Sequence, residues 1–331
     1  MRIFRHYQDV PAALKGAVVA LGNFDGVHRG HQALIAEAAR HAAALDVPLG
    51  VIAFEPHPQE YFHPANAAFR LTPFRIKARL IAGLGTDVMF ALTFDETMAK
   101  KSAQDFVLDV LVNGLGVSCV VVGADFRFGH GRAGDVTLLS YMGEMEGFGV
   151  VRFQPVPADA HASGSGKISS TRIRTALQEG RPEVAAALLG HWWAIESHVE
   201  HGDKRGRVIG FPTINMRWEG SLAPAFGVYA VRAVLMDGDK PGPRYDGVAN
   251  FGIRPMFEIS TPLLETYLFD FSGDLYGKHM AVELVAYLRP EAKFDSLDAL
   301  KDQITRDMEA ARAALAAAGP DAPALDALTP R

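Results

Sequence analysis

A doubly wound parallel α/β sheet followed by an antiparallel β-barrel with a C-terminal helix is the architecture this sequence predicts. Two observations predict it. Through the first half, apolar runs of strand length alternate with helix-period segments, the βαβα order of a parallel sheet covered on both faces. After Leu188 the pattern changes to short β-rich runs punctuated by Gly, Pro and Asp, as expected of an antiparallel barrel. No internal repeat interrupts either half.

The strands of the first half are read at Ala17–Leu21, Leu49–Phe54, Val88–Leu92, Cys119–Val122 and Val150–Gln154. Helices fall between them at Gln32–Leu45, Phe74–Leu84, Ser102–Leu111 and Asp135–Glu146, with apolar residues such as Leu34, Ile35, Ala38, Ala42 and Leu45 at helical spacing. A helical stretch near Pro182–Leu188 precedes the second half. Its strands are read at Trp193–Val199, Gly227–Leu235, Tyr245–Asn250, Leu263–Phe271 and Ala281–Leu288. The last helix spans Ser296–Ala317, with Ser296 as its N-cap. The expected domains are residues 1–188 and 189–318, the boundary falling near Leu189–Trp192, with a disordered Pro/Ala-rich tail at 319–331.

Composition bounds the function. A chain of 331 residues can bury two substantial cores. With 33 Lys and Arg against 38 Asp and Glu the net charge is −5, so neither nucleic acid nor a membrane surface is an expected partner. The single cysteine, Cys119, sits in an apolar strand, which excludes an intrachain disulfide and a cysteine metal cage. No uncharged apolar run has the length of a membrane span, and the N-terminus is not a signal peptide, so a cytoplasmic location is expected. Arginines cluster at Arg127, Arg132, Arg172, Arg174, Arg205 and Arg207, local charge that a polyanionic substrate requires.

The most informative segment is Leu21-Gly22-Asn23-Phe24-Asp25-Gly26-Val27-His28-Arg29-Gly30-His31, at the turn from the first predicted strand into the first helix. A helix N-terminus offers unpaired N–H groups and a positive dipole end, which suits phosphate. Gly30 permits close backbone approach, and His28 and His31 add ring donors that can stabilise charge on a phosphoryl group. A second segment, Ile168-Ser169-Ser170-Thr171-Arg172-Ile173-Arg174, places hydroxyls and two arginines on a first helical turn after a glycine-rich loop. Its plainer reading is a capped helix whose arginines pair with Glu179 or Glu183.

In the second half, Gly202-Asp203-Lys204-Arg205-Gly206-Arg207-Val208-Ile209-Gly210 forms a basic, glycine-rich stretch leading into Phe211-Pro212-Thr213-Ile214-Asn215. On an extended strand Thr213 and Asn215 point to one side and can reach one ligand or metal ion. In Leu263–Phe271, Glu265 shares a face with Leu263, Tyr267, Phe269 and Phe271. A carboxylate in such an apolar row is a candidate general base for an alcohol.

The first of these blocks resembles the His-x-Gly-His signature of the nucleotidyltransferase superfamily and, in its longer form, bacterial FAD synthetases, whose fold is Rossmann-like. It lacks the spacing of a P-loop. Ile-Ser-Ser-x-x-Ile-Arg, Phe54-x-Pro56-His57-Pro58 and Gly123-x-Asp125-Phe126 match further family segments, Asp125 being the acidic version of an Asn/Asp position. Pro212-Thr213-x-Asn215, Glu265-Thr266-x-Leu268-x-Asp270-Phe271, Pro224-x-x-Gly227-Val228-Tyr229 and Asn250-x-Gly252-x-Arg254-Pro255 resemble the riboflavin kinase family, with Met256 in place of its usual Thr.

The resemblance covers residues of about 15 to 315. It implies a bifunctional enzyme that phosphorylates riboflavin to FMN and adenylylates FMN to FAD with release of pyrophosphate. The implied cofactor is Mg²⁺, with ATP as co-substrate and FMN and FAD as the flavins. His28, His31, Arg172 and Glu265 are the implied catalytic residues. Implied nucleotide and flavin contacts are Gly22, Phe24, Asp25, Gly30, Asp125, Ser169, Ser170, Thr171, Arg174, Gly202, Arg205, Gly210, Tyr229 and Asn250. Thr213 and Asn215 are the implied metal ligands. Other partner questions stay open, namely a homo-oligomer and transient contact with apoflavoproteins. Another adenylyl- or cytidylyltransferase would lack the Pro-Thr-x-Asn barrel, and a class I aminoacyl-tRNA synthetase would carry a Lys-Met-Ser-Lys-Ser-like loop. A flavin-binding regulator without catalysis would have no use for His28, His31, Thr213, Asn215 and Glu265.

Overall fold

The computed structural model describes residues 1–64, 69–154, 167–201, 210–218, 221–253 and 262–319. Gly202, Arg205, Met256 and the expected tail beyond Gly319 lie outside the described residues. The chain divides into two compact units, one ending at Ser169 and the other beginning at Ser170.

The first unit is built on a six-stranded parallel sheet in the order β1-β4-β3-β2-β5-β8. Its strands are β1 (Arg2–Phe4), β2 (Val18–Leu21), β3 (Leu49–Glu55), β4 (Val88–Thr93), β5 (Cys119–Gly123) and β8 (Gly149–Phe153). A short hairpin, β6 (Arg127–Phe128) with β7 (Gly134–Asp135), follows β5. Strand alternation sends Val19, Leu21, Ile52, Phe90, Val120 and Val122 to one core and Val18, Ala20, Val51, Met89 and Val121 to the other. The second core receives Leu34, Ile35, Ala38 and Ala42 from the helix Arg29–Leu45, the stripe its periodicity predicts. From β2 the chain runs outward through β3 to β4, then returns to β5 on the other side of β2. The switch point therefore lies at the carboxyl ends of β2 and β5, where open α/β sheets bind ligands.

Two features depart from the sequence reading. The edge strand β1 was not anticipated, because three residues are too few to carry a pattern. The helix expected over Ser102–Leu111 starts at Ala103, widens to π-type winding over Phe106–Leu115 and ends at Gly116, whose φ of +55° favours glycine.

The second unit holds a six-stranded antiparallel sheet in the order β10-β13-β12-β11-β14-β9. Its strands are β9 (Ala194–His198), β10 (Ile214–Arg217), β11 (Gly227–Asp237), β12 (Lys240–Gly252), β13 (Leu263–Leu268) and β14 (His279–Arg289). The edges meet where the Glu200 amide donates to the Asn215 carbonyl at 2.8 Å, nearly closing the barrel. The helix Leu297–Ala318 is capped by Ser296, which accepts from the Ala299 amide at 3.1 Å. Asp307 accepts two bonds from the Arg289 guanidinium of β14, at 2.9 and 2.6 Å. Arg232 of β11 donates to the Leu315 carbonyl at 3.0 Å, a cation at the negative end of the helix dipole.

The helices Ser170–Gln178 and Pro182–Leu189 belong to the second unit, although the sequence pattern suggests a boundary after them. The Ala225 amide donates to the Leu177 carbonyl at 2.9 Å, and the Tyr287 ring lies 3.1 Å from where a Gly180 Cβ would stand. Pro182–Leu189 rests against β14. A fragment beginning at Ser170 is therefore expected to fold and to melt about 5 °C or more above one beginning at Leu189. Thermal unfolding by circular dichroism checks this; coincident melting curves would contradict it.

Candidate active sites

In the first unit the turn after β2 is held in an unusual backbone shape. Phe24 and Val27 both adopt left-handed conformations, with φ of 53° and 43°, while fully buried. A β-branched residue there is strained and persists only where its surroundings impose it. Those surroundings are visible. The Asp25 carboxylate, only 4% exposed, accepts from the Leu71 amide at 2.9 and 3.1 Å and from the Thr72 amide at 3.1 Å. Gly26 donates its amide to Thr72 Oγ1 at 3.0 Å, and Gln32 Nε2 donates to the Val27 carbonyl at 2.8 Å. Asp25, an implied nucleotide or flavin contact, is thus turned into the protein as a clamp on the turn.

The turn delivers His28 to the N-cap of the helix Arg29–Leu45, where its Nδ1 accepts from the His31 amide at 3.3 Å. A neutral His28 therefore carries its proton on Nε2. The His31 ring stacks on His28 with centroids 3.6 Å apart and touches Phe24 at 5.2 Å. Burial, the His28 ring and the Lys77 ammonium together hold the His31 imidazole well below its usual range. His31 is thus held as a neutral ring beside His28 at the positive end of a helix. Gly30 serves it differently from the expectation: a Cβ there would stand 3.2 Å from the His28 ring and push it aside. Gly22 adjoins the Phe24 ring at the entry of the turn.

Beneath the turn lies a charge cluster that the sequence reading missed. Glu55, at the end of β3, accepts from Arg70 and from Lys77 Nζ at 3.3 Å, and Arg70 also bonds Glu60. Lys77 is 2% exposed, and burial lowers its ammonium below the usual range against the opposing pull of Glu55 and Asp25. A signal existed: Lys77 interrupts the apolar stripe Phe74, Ala78, Ile81 on an amphipathic helix. His57 caps the helix Pro58–Phe62, its Nδ1 accepting from the Gln59 amide at 3.1 Å, so it packs the loop.

At the end of β5, Asp125 is exposed and paired to Lys167 at 2.6 Å, and the Lys167 ammonium holds its carboxyl below the usual range. Phe126 stacks on Phe128, with centroids 5.7 Å apart. Ile168 brings its carbonyl to 3.9 Å from the Gly30 Cβ position, which places Ser169 one residue beyond the helix N-terminus approach. Ser170, Thr171, Arg172 and Arg174 lie on the first helix of the second unit, Thr171 exposed and the other three half-buried.

In the second unit the strand register builds the site. Asn215 of β10 stands opposite Glu265 of β13, and Glu265 stands opposite Asn250 of β12. Directly opposed residues of antiparallel strands share a face, so these three form one polar row. Asn250 Nδ2 donates to Glu291 at 3.2 Å. Leu264, Thr266 and Leu268 alternate inward and are buried, which leaves Glu265 and Tyr267 on the half-exposed face. Thr213 precedes Asn215 by two residues and faces a cavity of about 380 Å³ whose walls include Pro212, Tyr267, Phe271 and Tyr276. The Asn215 Oδ1 atom is buried and has no hydrogen-bond partner among the described residues. An orphaned amide oxygen suits a hard cation, whose ligands are oxygens. Gly210 is exposed in a turn with φ +93°. Tyr229 does not reach a ligand face: it is 1% exposed, burial pushes its phenol up, and its hydroxyl donates to the Ala225 carbonyl at 2.5 Å. The resemblance implies a nucleotide or flavin contact at Tyr229; the structure buries its side chain in the barrel.

The depressed His31 pKa has a measurable consequence. Below about pH 6.5, the ordinary imidazole value, the unfolded chain binds a proton that folded His31 refuses. Its contribution to stability is present above that value and is lost as pH falls towards the folded pKa. Between pH 7.5 and 5.5 the urea midpoint of the parent is therefore expected to fall further than that of His31→Gln; equal falls would contradict the assignment.

Comparison with known proteins agrees with this geometry in both units. A sequence model of the FAD synthetase family matches residues 10–172, and one of the riboflavin kinase family matches residues 189–315. The Escherichia coli (strain K12) bifunctional riboflavin kinase/FMN adenylyltransferase is 43% identical over 94% of this chain and 97% of its own length. The Haemophilus influenzae protein of the same name is 40% identical over 95% and 99%. A crystal structure described as a macrolide-efflux protein from Streptococcus pneumoniae superposes with a TM-score of 0.82 at 30% identity, covering 94% of this chain and 98% of that one. No helix among the described residues here is long and apolar enough to cross a membrane. The chain belongs to the family of bifunctional riboflavin kinase/FMN adenylyltransferases.

Proposed function

We propose that the second unit phosphorylates riboflavin to FMN and that the first unit's His28–His31 turn serves the transfer of AMP from a second ATP to FMN, giving FAD and pyrophosphate. The observation that carries the reading is the cross-strand row Asn215–Glu265–Asn250, whose chain neighbours Ile214 and Thr266 line the cavity at Thr213. A primary alcohol is a poor nucleophile and needs a base at hand. Glu265 takes the proton of the riboflavin 5′-hydroxyl as its oxygen attacks the γ-phosphorus of ATP and ADP leaves. Asn250, anchored to Glu291, stands beside that carboxylate. Mg²⁺ would be held by Thr213 and Asn215 and would supply neutralisation of charge on the ATP phosphates.

The second reaction asks for different chemistry. A phosphate of FMN is already ionised near neutral pH, so no strong base is required. Its oxygen attacks the α-phosphorus of ATP, and the bond to pyrophosphate breaks. The ring donors of His28 and His31, with backbone amides at the start of the helix Arg29–Leu45, stabilise the charge spread over that centre. The demand for two ATP per FAD fits a cytoplasmic location.

Two substitutions separate the activities. Glu265→Gln is expected to abolish FMN formation from riboflavin while FAD formation from supplied FMN continues. His28→Ala and His31→Ala are expected to do the reverse, lowering FAD formation on the order of a hundred-fold and letting FMN accumulate. Chromatography of both flavins over time checks this; kinase activity within a few-fold of the parent in Glu265→Gln would end the general-base assignment.

A further inference from the structure

We propose that Glu291 is a positioning residue for riboflavin phosphorylation: seated on the bare backbone of Gly252, its carboxylate orients the Asn250 amide so that Asn250 Oδ1 receives a hydroxyl of the ribityl chain. The proposal rests on the reading of the row Asn215–Glu265–Asn250 as the kinase site. Asn250 of β12 stands directly opposite Glu265 of β13 and, on its other side, opposite Val228 of β11, which stands opposite Arg289 of β14. Glu291, two residues past the end of β14, reaches back to β12 and accepts from Asn250 Nδ2 at 3.2 Å. Gly252 lies two residues beyond Asn250 on the same strand and is buried. Its φ is not left-handed, so the backbone does not demand glycine there. The space does. A Cβ would lie 2.6 Å from the Glu291 carboxyl carbon, and the nearest atoms around it all belong to that carboxylate.

The chain on both sides of Glu291 is fastened to one side chain. Arg289 donates to the Pro290 carbonyl at 2.9 Å and carries the Phe294 ring 5.7 Å from its guanidinium. Asp307 of the C-terminal helix accepts from the same guanidinium at 2.9 and 2.6 Å. The two ends of an amide have opposite hydrogen-bonding character. A carboxylate only accepts, so Glu291 commits Nδ2 and leaves Oδ1 as an acceptor on the other branch of Asn250. Across the strand pair stands Glu265, the base for the 5′-hydroxyl. An acceptor beside that base suits the next hydroxyl along the substrate chain, the 4′-hydroxyl. Glu291 touches no reacting atom; it acts through the Asn250 amide.

The test uses the full chain, with FAD formation from supplied FMN reporting on the other unit. Glu291→Ala is expected to raise KM for riboflavin about 10-fold, the worth of one hydrogen bond, with kcat within about two-fold of the parent. A merely structural glutamate would lower the active fraction, and so kcat, with KM unmoved; that result overturns the proposal. Glu291→Gln keeps an acceptor oxygen at the same reach and should stay within about three-fold of the parent KM. A rise equal to that of Glu291→Ala overturns the amide-orienting role. Gly252→Ala displaces the carboxylate with Glu291 intact and should raise KM as Glu291→Ala does. The two combined should match Glu291→Ala alone, because they remove one contact; effects that multiply overturn the proposal. In Asn250→Ala, where no amide is left to orient, Glu291→Ala should add nothing, and a further rise in KM overturns it as well. If Glu265→Gln still phosphorylates riboflavin, the reading of the site fails. If it does not and Glu291→Ala keeps the parent KM, the role of Glu291 alone fails.

Discussion

The Asp25 carboxylate, bonded to the Leu71 and Thr72 amides, holds Phe24 and Val27 in the left-handed backbone region on either side of it. Everything the first unit offers a phosphate depends on that constraint. It sets the angle at which the chain leaves β2, and hence where His28 caps the following helix. It also lets the His31 ring lie flat on His28 with Phe24 behind it. Strain of this kind needs an over-determined surrounding. Here the surrounding is a buried carboxylate, a threonine hydroxyl and a glutamine amide, each spent on the backbone of the turn.

In the reading proposed above, the two reactions divide the chemistry between the two units. The alcohol of riboflavin needs deprotonation, and the barrel supplies a carboxylate fixed in register between two asparagines. The phosphate of FMN needs only orientation and charge stabilisation, and the role proposed for the parallel sheet is to offer a helix N-terminus with the His28 and His31 rings. Buried charge plays opposite parts in the two units. In the first it stands behind the site, as Glu55, Arg70 and Lys77. In the second it fastens the C-terminal helix, through Arg289–Asp307 and Arg232.

Much of this was legible in the sequence where the signal is local. The run Ala17–Leu21, the turn after it and the stripe Leu34, Ile35, Ala38, Ala42 read directly as a buried strand, a phosphate-type turn and a core-facing helix. Alternation in Leu263–Leu268 put Glu265 on one face with Leu263 and Tyr267, and the structure keeps those three half-exposed while Leu264, Thr266 and Leu268 are buried. What sequence reasoning missed depends on contacts between distant segments. Asp25 and Leu71 lie 46 residues apart and Glu55 and Lys77 lie 22 apart, and no local pattern links them. The same holds for the bond from the Tyr229 hydroxyl to the Ala225 carbonyl, which no local pattern announces. The helices Ser170–Gln178 and Pro182–Leu189 read as part of the α/β half because they are helices, while their contacts to Ala225 and Tyr287 join them to the barrel.

The central claim is that one chain moves two different phosphorus atoms of ATP onto one flavin. The most direct measurement is a pair of reactions of the full chain with riboflavin, Mg²⁺ and ATP labelled with ³²P at either the α or the γ position, the flavins being separated over time. The account predicts that γ-label enters FMN first and is then carried into FAD, while α-label enters FAD alone. Label from the α position in FMN, or FAD formed without prior γ-labelled FMN, would contradict it.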